Sequence, residues 1–312
     1  MTYDLPTPAQ PFKIGTRGSA LALWQAHEVR RCLRAAFGLP EAAFAIVVIK
    51  VTGDMVQDRA LKEIGGKGLF TREIEAALLA GGIDIAVHSM KDMPTLQPEG
   101  LLLDCHLPRE DVRDGWVSPA AARLMELPPG AVVGTSSLRR RAQVAHRRPD
   151  LRLVEFRGTV QTRMTKLQEG VAAATFLAMA GLNRLGMAHM ARGAIEVEEM
   201  LPAVAQGAIG VERRVGDARA GAMLAAIHDG PTGQRLAAER AFLAALDGSC
   251  DTPIAGLAVL EGAQLWLRGE ILRVDGSKVI AGEVRGAVGD GPDLGRRLAA
   301  DLLRRAGPGF FA

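Results

Sequence analysis

Short apolar runs alternate with longer amphipathic segments in the first part of the chain. The runs at 12–15, 44–51 and 83–87 are rich in β-branched residues and predict buried strands. The segments 20–37 and 71–80 repeat apolar residues at intervals of three and four, which predicts helices. Strand, helix, strand, helix, strand is typical of a parallel α/β sheet, so we expect a first α/β unit here.

The same order returns after the proline-rich segment 127–130, which indicates a second α/β unit. Strands are predicted at 131–134, 151–156 and 175–178. Helices are expected to begin at Leu138 and after Arg157. The apolar segment 201–212 could then carry the chain back to the first unit.

The pattern changes after Gly230 and predicts a small α+β domain with an antiparallel sheet. An amphipathic helix at 232–246 precedes three strand-like runs with glycine turns between them, and a helix at 293–306 closes the chain. We therefore predict domain 1 over 1–107 and 202–226, domain 2 over 108–201, and domain 3 over 227–312.

A polar corner follows the predicted strand 83–87. Four polar side chains occur within five positions: His88, Ser89, Lys91 and Asp92. Pro94 then prevents regular structure from continuing. A strand that ends in a rigid polar corner can hold catalytic groups at the edge of a sheet. The alternative is an ordinary turn in which Lys91 and Asp92 form a solvated ion pair.

Arginine dominates the basic residues, since only seven of the 38 are lysine. The planar guanidinium suits carboxylate or phosphate, although a GC-rich genome would also favour arginine, so placement must decide. Six arginines fall at or just beyond predicted strand ends: Arg17, Arg139, Arg140, Arg157, Arg163 and Arg184. Ligands of open α/β sheets bind at this edge, and helix starts such as Ser19 offer N–H groups to anions. The positions therefore predict a polyanion site, while capping alone would also explain Ser19. Arg147 and Arg148, in the tail of the predicted helix, are expected to be ordinary solvated charges.

The remaining composition narrows the class of protein. A net charge of +3 is mild for 312 residues and argues against non-specific nucleic-acid binding. Three widely spaced cysteines suggest neither a disulfide framework nor a metal site. The N-terminus lacks a signal-peptide pattern and no apolar run reaches about 18 residues, so we expect a cytoplasmic protein without a membrane span.

One cysteine differs from the others in its setting. Cys250 lies in the loop Asp247–Pro253, among glycine, serine and proline, which is unlike the setting of a core cysteine. A thiol in such a loop is more accessible to reaction. The alternative is an incidental surface thiol.

Several stretches, in this order, resemble the porphobilinogen deaminase (hydroxymethylbilane synthase) family. They are Thr16–Ser19 with Ala22–Ala26, Gly65–Phe70, Ala86–Asp92, Gly134–Arg140 and Gly248–Cys250, within a match that runs from about Lys13 to the C-terminus. The resemblance implies two α/β domains similar to type II periplasmic-binding-protein domains, and a small C-terminal α+β domain with a three-stranded antiparallel sheet. It also implies a monomer.

The resemblance further implies a transferase of tetrapyrrole and haem biosynthesis. Such an enzyme condenses four porphobilinogen molecules head to tail on a covalent dipyrromethane primer, releases ammonia, and hydrolyses off linear hydroxymethylbilane. The primer would be held by a thioether to Cys250, and Asp92 would be the catalytic carboxylate. The other implied cofactor-binding residues are Ser89, Lys91, Thr135, Ser137, Arg139, Arg140, Arg163 and Arg184. The implied substrate-binding residues are Arg17, Ser19, Arg157 and Gln206, and no metal is implied.

The sequence departs from the family pattern at five positions without losing a reacting group. Val51 stands where threonine is expected, Thr159 replaces a common asparagine, and Ala205 replaces a glycine. Ser249 and Asp251 flank the cysteine where glycine and a neutral residue are common.

A non-catalytic anion-binding protein of the periplasmic-binding type is the competing hypothesis. Such a protein would have no use for Cys250, and Asp92 would repel its ligand.

Overall fold

The computed structural model describes residues 3–51, 71–248 and 252–311, which form two compact units. Unit 1 comprises Met1–Glu110 and Ala208–Gly233, and unit 2 comprises Asp111–Gly207 and Gln234–Ala312. Gly65–Phe70 and Cys250 lie outside the described residues. No helix in the described ranges is both long and apolar enough to cross a bilayer. The three-domain boundaries stay a prediction.

The elements that were predicted occur in the expected order, with ends shifted by a few residues. The strands at 101–106, 114–117 and 193–194 and the helix at 218–225 were not predicted. The strands are β1 Phe12–Thr16, β2 Phe44–Val48, β3 Ile85–Ser89, β4 Leu101–His106, β5 Asp114–Val117, β6 Val132–Gly134, β7 Arg152–Val154, β8 Ala174–Ala178, β9 Gly193–Ala194, β10 Ile209–Arg214, β11 Ile254–Glu261, β12 Gln264–Leu272 and β13 Val279–Ala287. The helices are α1 Ala20–Phe37, α2 Arg72–Leu79, α3 Leu138–Arg147, α4 Val160–Gln168, α5 Met179–Arg184, α6 Ala218–Ala225, α7 Gly230–Ala245 and α8 Gly291–Ala306.

The sheet of unit 1 is mixed rather than wholly parallel. Its order is β2-β1-β3-β10-β4, in which β1 runs parallel to β2 and β3. β10 pairs antiparallel with both β3 and β4. The parallel arrangement expected for the three strands of the first α/β run is therefore confirmed for β1 to β3. The direction of β10 was not predicted, and it is antiparallel.

The sheet of unit 2 repeats this design. Its order is β7-β6-β8-β5-β9, with β6 parallel to β7 and β8. β5 is the antiparallel strand, and it lies between β8 and β9 as β10 lies between β3 and β4. A separate sheet, β11-β12-β13, is antiparallel throughout. These three sheets confirm the predicted fold class of two α/β sheets and a three-stranded antiparallel sheet.

Both faces of β3 are buried, so unit 1 has helices on either side of its sheet. Ile85 and Val87 share a core cluster with Val29 of α1. Ala86, which points to the opposite face, packs in a second cluster with Ile74 of α2. A strand buried on both faces reads as the continuous apolar run seen in the sequence.

Glycines in β1 and β6 permit close packing next to the helix starts. A Cβ on Gly15 would lie 2.2 Å from Cδ1 of Ile83. A Cβ on Gly134 would lie 2.4 Å from the ring of Phe156. Both distances are far below van der Waals contact, so only glycine fits at these two strand positions.

Arg148 is buried, although its place in the tail of α3 suggests a solvated charge. Its guanidinium donates hydrogen bonds to the carbonyl oxygens of Leu124, at 3.1 Å, and Leu127, at 2.8 Å. Its Nε donates to the Asp150 carboxylate at 2.8 Å. The expectation of a solvated charge is wrong, because carbonyls of the preceding loop need a donor there.

Ala205, one of the departures from the family pattern, has a left-handed backbone with φ 61°. It is buried, and its N–H donates to Oε2 of Glu239 at 2.7 Å. Oε1 of Glu239 accepts from the N–H of Ala258 at 2.8 Å. The buried carboxylate thus holds two backbone segments, and Ala205 must adopt a conformation that favours glycine.

We expect Ala205→Gly to raise the free energy of unfolding by about 0.5–1 kcal/mol, because it removes the Cβ from a left-handed residue. Ala287 of the same unit is exposed and has φ −63°, so Ala287→Gly should lower stability instead. Urea-denaturation midpoints of both variants and the parent measure the difference. A loss of stability in Ala205→Gly equal to that in Ala287→Gly would contradict the assignment of strain.

Candidate functional site

Three helices begin at a hydroxyl side chain that follows a strand. Ser19 accepts a hydrogen bond from the N–H of Ala22 at 3.3 Å and caps α1. Ser137 accepts from the N–H of Arg140 at 3.4 Å and caps α3. Thr159 caps α4 in the same way, so this departure from asparagine keeps the capping function.

The start of α3 places two arginines on one buried carboxylate. Nη2 of Arg139 donates to Oδ2 of Asp114 at 2.8 Å, and Nη2 of Arg140 donates to Oδ1 at 2.7 Å. Asp114 is wholly buried, and the two arginines are 4% and 7% exposed. Burial alone would raise the pKa of the Asp114 carboxyl, but the charges of Arg139 and Arg140 hold that pKa well below its usual range.

The two guanidinium groups carry more positive charge than Asp114 can neutralise. Burial lowers the pKa of Arg139, and the attraction of Asp114 acts in the opposite direction without restoring it. Nη1 of Arg140 donates to the carbonyl oxygen of Phe176 at 2.9 Å. Nε of Arg140 is buried without a hydrogen-bond partner among the described residues. This end of unit 2 can therefore accept further negative charge.

Arg163 of α4 adds a third cation close to Arg140. Its Nε donates to the carbonyl oxygen of Gly158 at 3.1 Å, and no carboxylate of the described residues pairs with it. Burial, together with the nearby charges of Arg140 and Arg157, lowers the pKa of Arg163 to about 10. A guanidinium under this repulsion is a receptor for an anionic ligand.

The other expected residues of unit 2 lie near this cluster or its supports. Thr135 is buried, and its Oγ1 accepts from the N–H of Ser137 at 3.2 Å. Nε2 of Gln206 donates to Oδ1 of Asp114 at 2.9 Å. Arg184 is 9% exposed and donates from Nη2 to the carbonyl oxygen of Gly207 at 2.7 Å. The adjacent loop residues Gln206 and Gly207 thus bind Asp114 and Arg184, respectively.

The polar corner of unit 1 is anchored from two sides. β3 ends at Ser89, whose Oγ accepts from Nε2 of Gln25 at 2.8 Å. The N–H of Met90 donates to the carbonyl oxygen of Ala208 at 3.0 Å. Met90–Asp92 then forms a single 3-10 turn. This confirms that the corner is a fixed structure at the end of a buried strand.

Asp92 is half-buried at the end of this turn. In the described part of the chain its carboxylate accepts no hydrogen bond and forms no ion pair with Lys91. The alternative of a solvated Lys91–Asp92 pair is therefore not observed. Arg17 and Ser19, at the start of α1, are also half-buried and belong to the same unit. The Asp92 carboxylate remains able to accept a hydrogen bond from a ligand.

The sequence did not single out three residues that organise the cluster in unit 2. They are Asp114, Gln143 and Glu270, which contact Arg139 directly or through one another. An isolated acid at the start of an apolar strand was the available signal for Asp114. Among the described residues, no three His, Cys, Asp or Glu side chains are placed to hold a metal ion.

The chain matches two family models and a close relative in sequence. The models are the porphobilinogen deaminase dipyromethane cofactor binding domain, over residues 12–222, and the porphobilinogen deaminase C-terminal domain, over 234–304. A porphobilinogen deaminase of Paracoccus denitrificans (strain Pd 1222) is 69% identical over 308 residues, which cover 99% of this chain and 98% of the relative.

Solved structures with a partly similar fold include two periplasmic binding proteins. A periplasmic substrate-binding protein of an ABC transporter from Coxiella burnetii has a TM-score of 0.43 and 14% identity, covering 71% of this chain and 93% of its own. The periplasmic aliphatic sulphonate binding protein of Escherichia coli has a TM-score of 0.41 and 13% identity, covering 76% and 70%. The family models and the relative, which span nearly the whole chain, establish that it belongs to the porphobilinogen deaminase family.

Proposed function

We propose that this enzyme carries its dipyrromethane primer on Cys250 and binds the primer's carboxylates at the cationic cluster of unit 2. The reaction is the family's transferase chemistry, in which four porphobilinogen molecules are joined head to tail, ammonia is released, and the linear tetrapyrrole is hydrolysed off. The primer supplies the first pyrrole carbon to which substrate is joined. Cys250 lies outside the described residues, so its role rests on the family motif Gly248–Cys250.

The unneutralised charge of Arg163 is the observation that supports this proposal. Each pyrrole ring of the primer and substrate bears an acetate and a propionate, so a growing chain gains negative charge at every addition. The charges of Arg140 and Arg157 repel that of Arg163 when no anion is present. Carboxylates bound there would relieve that repulsion through bidentate, charge-assisted hydrogen bonds, so the residues present fit this group.

Asp92 is proposed as the carboxylate that handles the departing amine. Porphobilinogen carries a protonated aminomethyl group, which can donate a hydrogen bond to the Asp92 carboxylate. As the amine leaves, the substrate ring becomes cationic, and a fixed negative charge stabilises it. The anchored turn Met90–Asp92 keeps the carboxylate in place without reorganisation.

Ser89 and Lys91 are proposed to bind carboxylates beside Asp92, and Arg17 and Ser19 to bind those of incoming substrate. We also propose that the protein is cytoplasmic and that it is a monomer, and the monomer is what the family resemblance implies. Light scattering coupled to size exclusion measures the monomer directly, and a mass of twice 33.1 kDa would contradict it.

We expect Arg163→Leu to abolish primer loading and to stabilise the protein when no primer is present. In a Cys250→Ala background the added substitution should raise the melting temperature by roughly 2–4 °C, because it removes about 1 kcal/mol of repulsion. Intact mass measures loading in the otherwise unchanged chain, and thermal unfolding measures stability.

Arg152→Leu is the matched control, since Arg152 is an exposed arginine of β7 in the same unit. It should leave the loaded mass unchanged. Full loading of Arg163→Leu, or a lower melting temperature in the unprimed background, would argue against an anion site at Arg163.

We expect Cys250→Ala to lack the added mass of two linked pyrroles that active enzyme carries. The sulfur is the proposed point of attachment, so no other thiol should substitute for it. Cys32→Ala is the control, because Cys32 is a free, half-buried cysteine of α1 and should keep the added mass. An active enzyme whose intact mass equals that of its sequence would disprove attachment.

We expect Asp92→Asn to fold and bind porphobilinogen but to release ammonia about 10²–10⁴-fold more slowly, the range for a positioned acid–base group. Asp92→Glu keeps the charge with one more methylene and should retain partial activity. Single-turnover ammonia release measures both. Asp104→Asn, at an exposed carboxylate of unit 1, should behave like the parent, and a parental rate in Asp92→Asn would remove Asp92 from the mechanism.

A further inference from the structure

A single side-chain amide connects Arg139 to the antiparallel sheet. Gln143 lies one helical turn beyond Arg139 on α3 and is fully buried. Its Oε1 accepts from Nη1 of Arg139 at 3.0 Å. Its Nε2 donates to Oε2 of Glu270, on β12, at 3.0 Å, and to the carbonyl oxygen of Leu201 at 3.0 Å.

The surroundings of Gln143 allow only one orientation of its amide. Nε2 faces two oxygen acceptors, and Oε1 faces a guanidinium donor. A flipped amide would place NH₂ against the guanidinium and a carbonyl against two oxygens, which loses all three hydrogen bonds. Gln143 therefore acts as a directional link between Glu270 and Arg139.

This link bears on both arginines at the start of α3. Nη1 of Arg139 is held by Gln143, and Nη2 is held by Asp114. Asp114 uses its second oxygen for Arg140. A rotation of the Arg139 guanidinium would therefore shift Asp114 and weaken one of the hydrogen bonds that orient Arg140, the other being to the carbonyl oxygen of Phe176.

We propose that Gln143 is a positioning residue, which fixes the Arg139–Asp114–Arg140 group by tying it to Glu270. The inference rests on the proposed function, since it concerns the arginines that bind the primer's carboxylates. Gln143 itself needs no contact with primer or substrate for this role. Glu270 is half-buried on the antiparallel sheet, which belongs to the same compact unit as α3.

The link can be cut without leaving a buried polar group unpaired. In Gln143→Leu the carbonyl oxygen of Leu201 and Nη1 of Arg139 keep their mutual hydrogen bond of 3.1 Å. Glu270 is partly exposed and can turn to water. Leucine is close to glutamine in volume, so the folded state should persist and formal charge is unchanged.

The exchange variant Gln143→Glu/Glu270→Gln restores the hydrogen bonds to Arg139 and to position 270 with donor and acceptor swapped between 143 and 270. Like Gln143→Leu, it lacks the hydrogen bond to the Leu201 carbonyl oxygen. A carboxylate at 143 can accept from Arg139 and from the new amide at 270, and the total charge is again unchanged. The primed fraction, measured by intact mass, and the melting temperature are each compared for wild type, Gln143→Leu and the exchange variant. We expect the primed fraction to fall about fivefold in Gln143→Leu, as for one lost hydrogen bond, and to recover in the exchange variant.

Glu270→Ala distinguishes an effect of arginine orientation from an effect of charge, because the two predict opposite changes in the primed fraction. Removing an acid near a cationic site strengthens anion binding if only the electrostatic field matters. Loss of the hydrogen-bonded link between Glu270 and Arg139 weakens anion binding if the orientation of the arginines matters. We therefore expect the primed fraction of Glu270→Ala to fall, as in Gln143→Leu, and this variant decides the question if Gln143→Leu does not fold.

Gln264→Leu, at an exposed glutamine of β12, is the control and should be primed like wild type. Each of three results would overturn the inference. They are a wild-type primed fraction in Gln143→Leu, a higher primed fraction in Glu270→Ala than in wild type, and an exchange variant as poorly primed as Gln143→Leu. So would a fall in priming that only tracks a fall in melting temperature. Unprimed wild type would instead refute the proposed function.

Discussion

The cationic end of unit 2 depends on one constraint. It buries more arginine side chains than carboxylates. Asp114 receives one hydrogen bond from each of two adjacent arginines, whose side chains would otherwise leave α3 about 100° apart. It neutralises only part of their charge, and Arg163 adds more without a carboxylate of its own in the described chain. Such an arrangement costs stability in the absence of ligand, and an anionic ligand recovers that cost on binding. In the proposed function, the carboxylates of the primer are the ligand that relieves this cost.

The two units use similar architecture for different electrostatic purposes. Each has a mixed sheet with one antiparallel strand second from the edge, and each begins a helix at a hydroxyl cap after a strand. In unit 2 that helix start carries the paired arginines. In unit 1 the adjacent strand β3 ends in the turn that presents Asp92, a carboxylate without a hydrogen-bond partner in the described residues. A repeated scaffold thus places paired arginines in one unit and, in the other, the carboxylate proposed to act on the departing amine.

Much of the fold was predictable because buried strands and amphipathic helices have distinct periods. The runs that became β1, β2 and β3 were correctly recognised, as were α1 and the antiparallel sheet. Strand direction was harder to predict from the sequence. β10 runs antiparallel to β3, but its apolar pattern would be the same in either direction. Ala205 shows a second limit, since a left-handed φ for a non-glycine residue is imposed by the tertiary hydrogen bond to Glu239.

The arginines of the unit 2 cluster could be found from the sequence because they follow strand ends, but the residues that support them come from distant segments and could not. Position along the chain indicated Arg139 and Arg140, because helix starts after parallel strands bind anions. The same reasoning treated Arg148 as solvated, although three carbonyls and Asp150 enclose it. Gln143 and Glu270 lie 127 positions apart and meet only through packing of α3 on β12. Such a contact has no local signature, since neither residue type nor spacing distinguishes a buried amide from an exposed one. Side-chain supports of a binding site therefore have to be found from coordinates, even when the binding groups themselves are evident from the sequence.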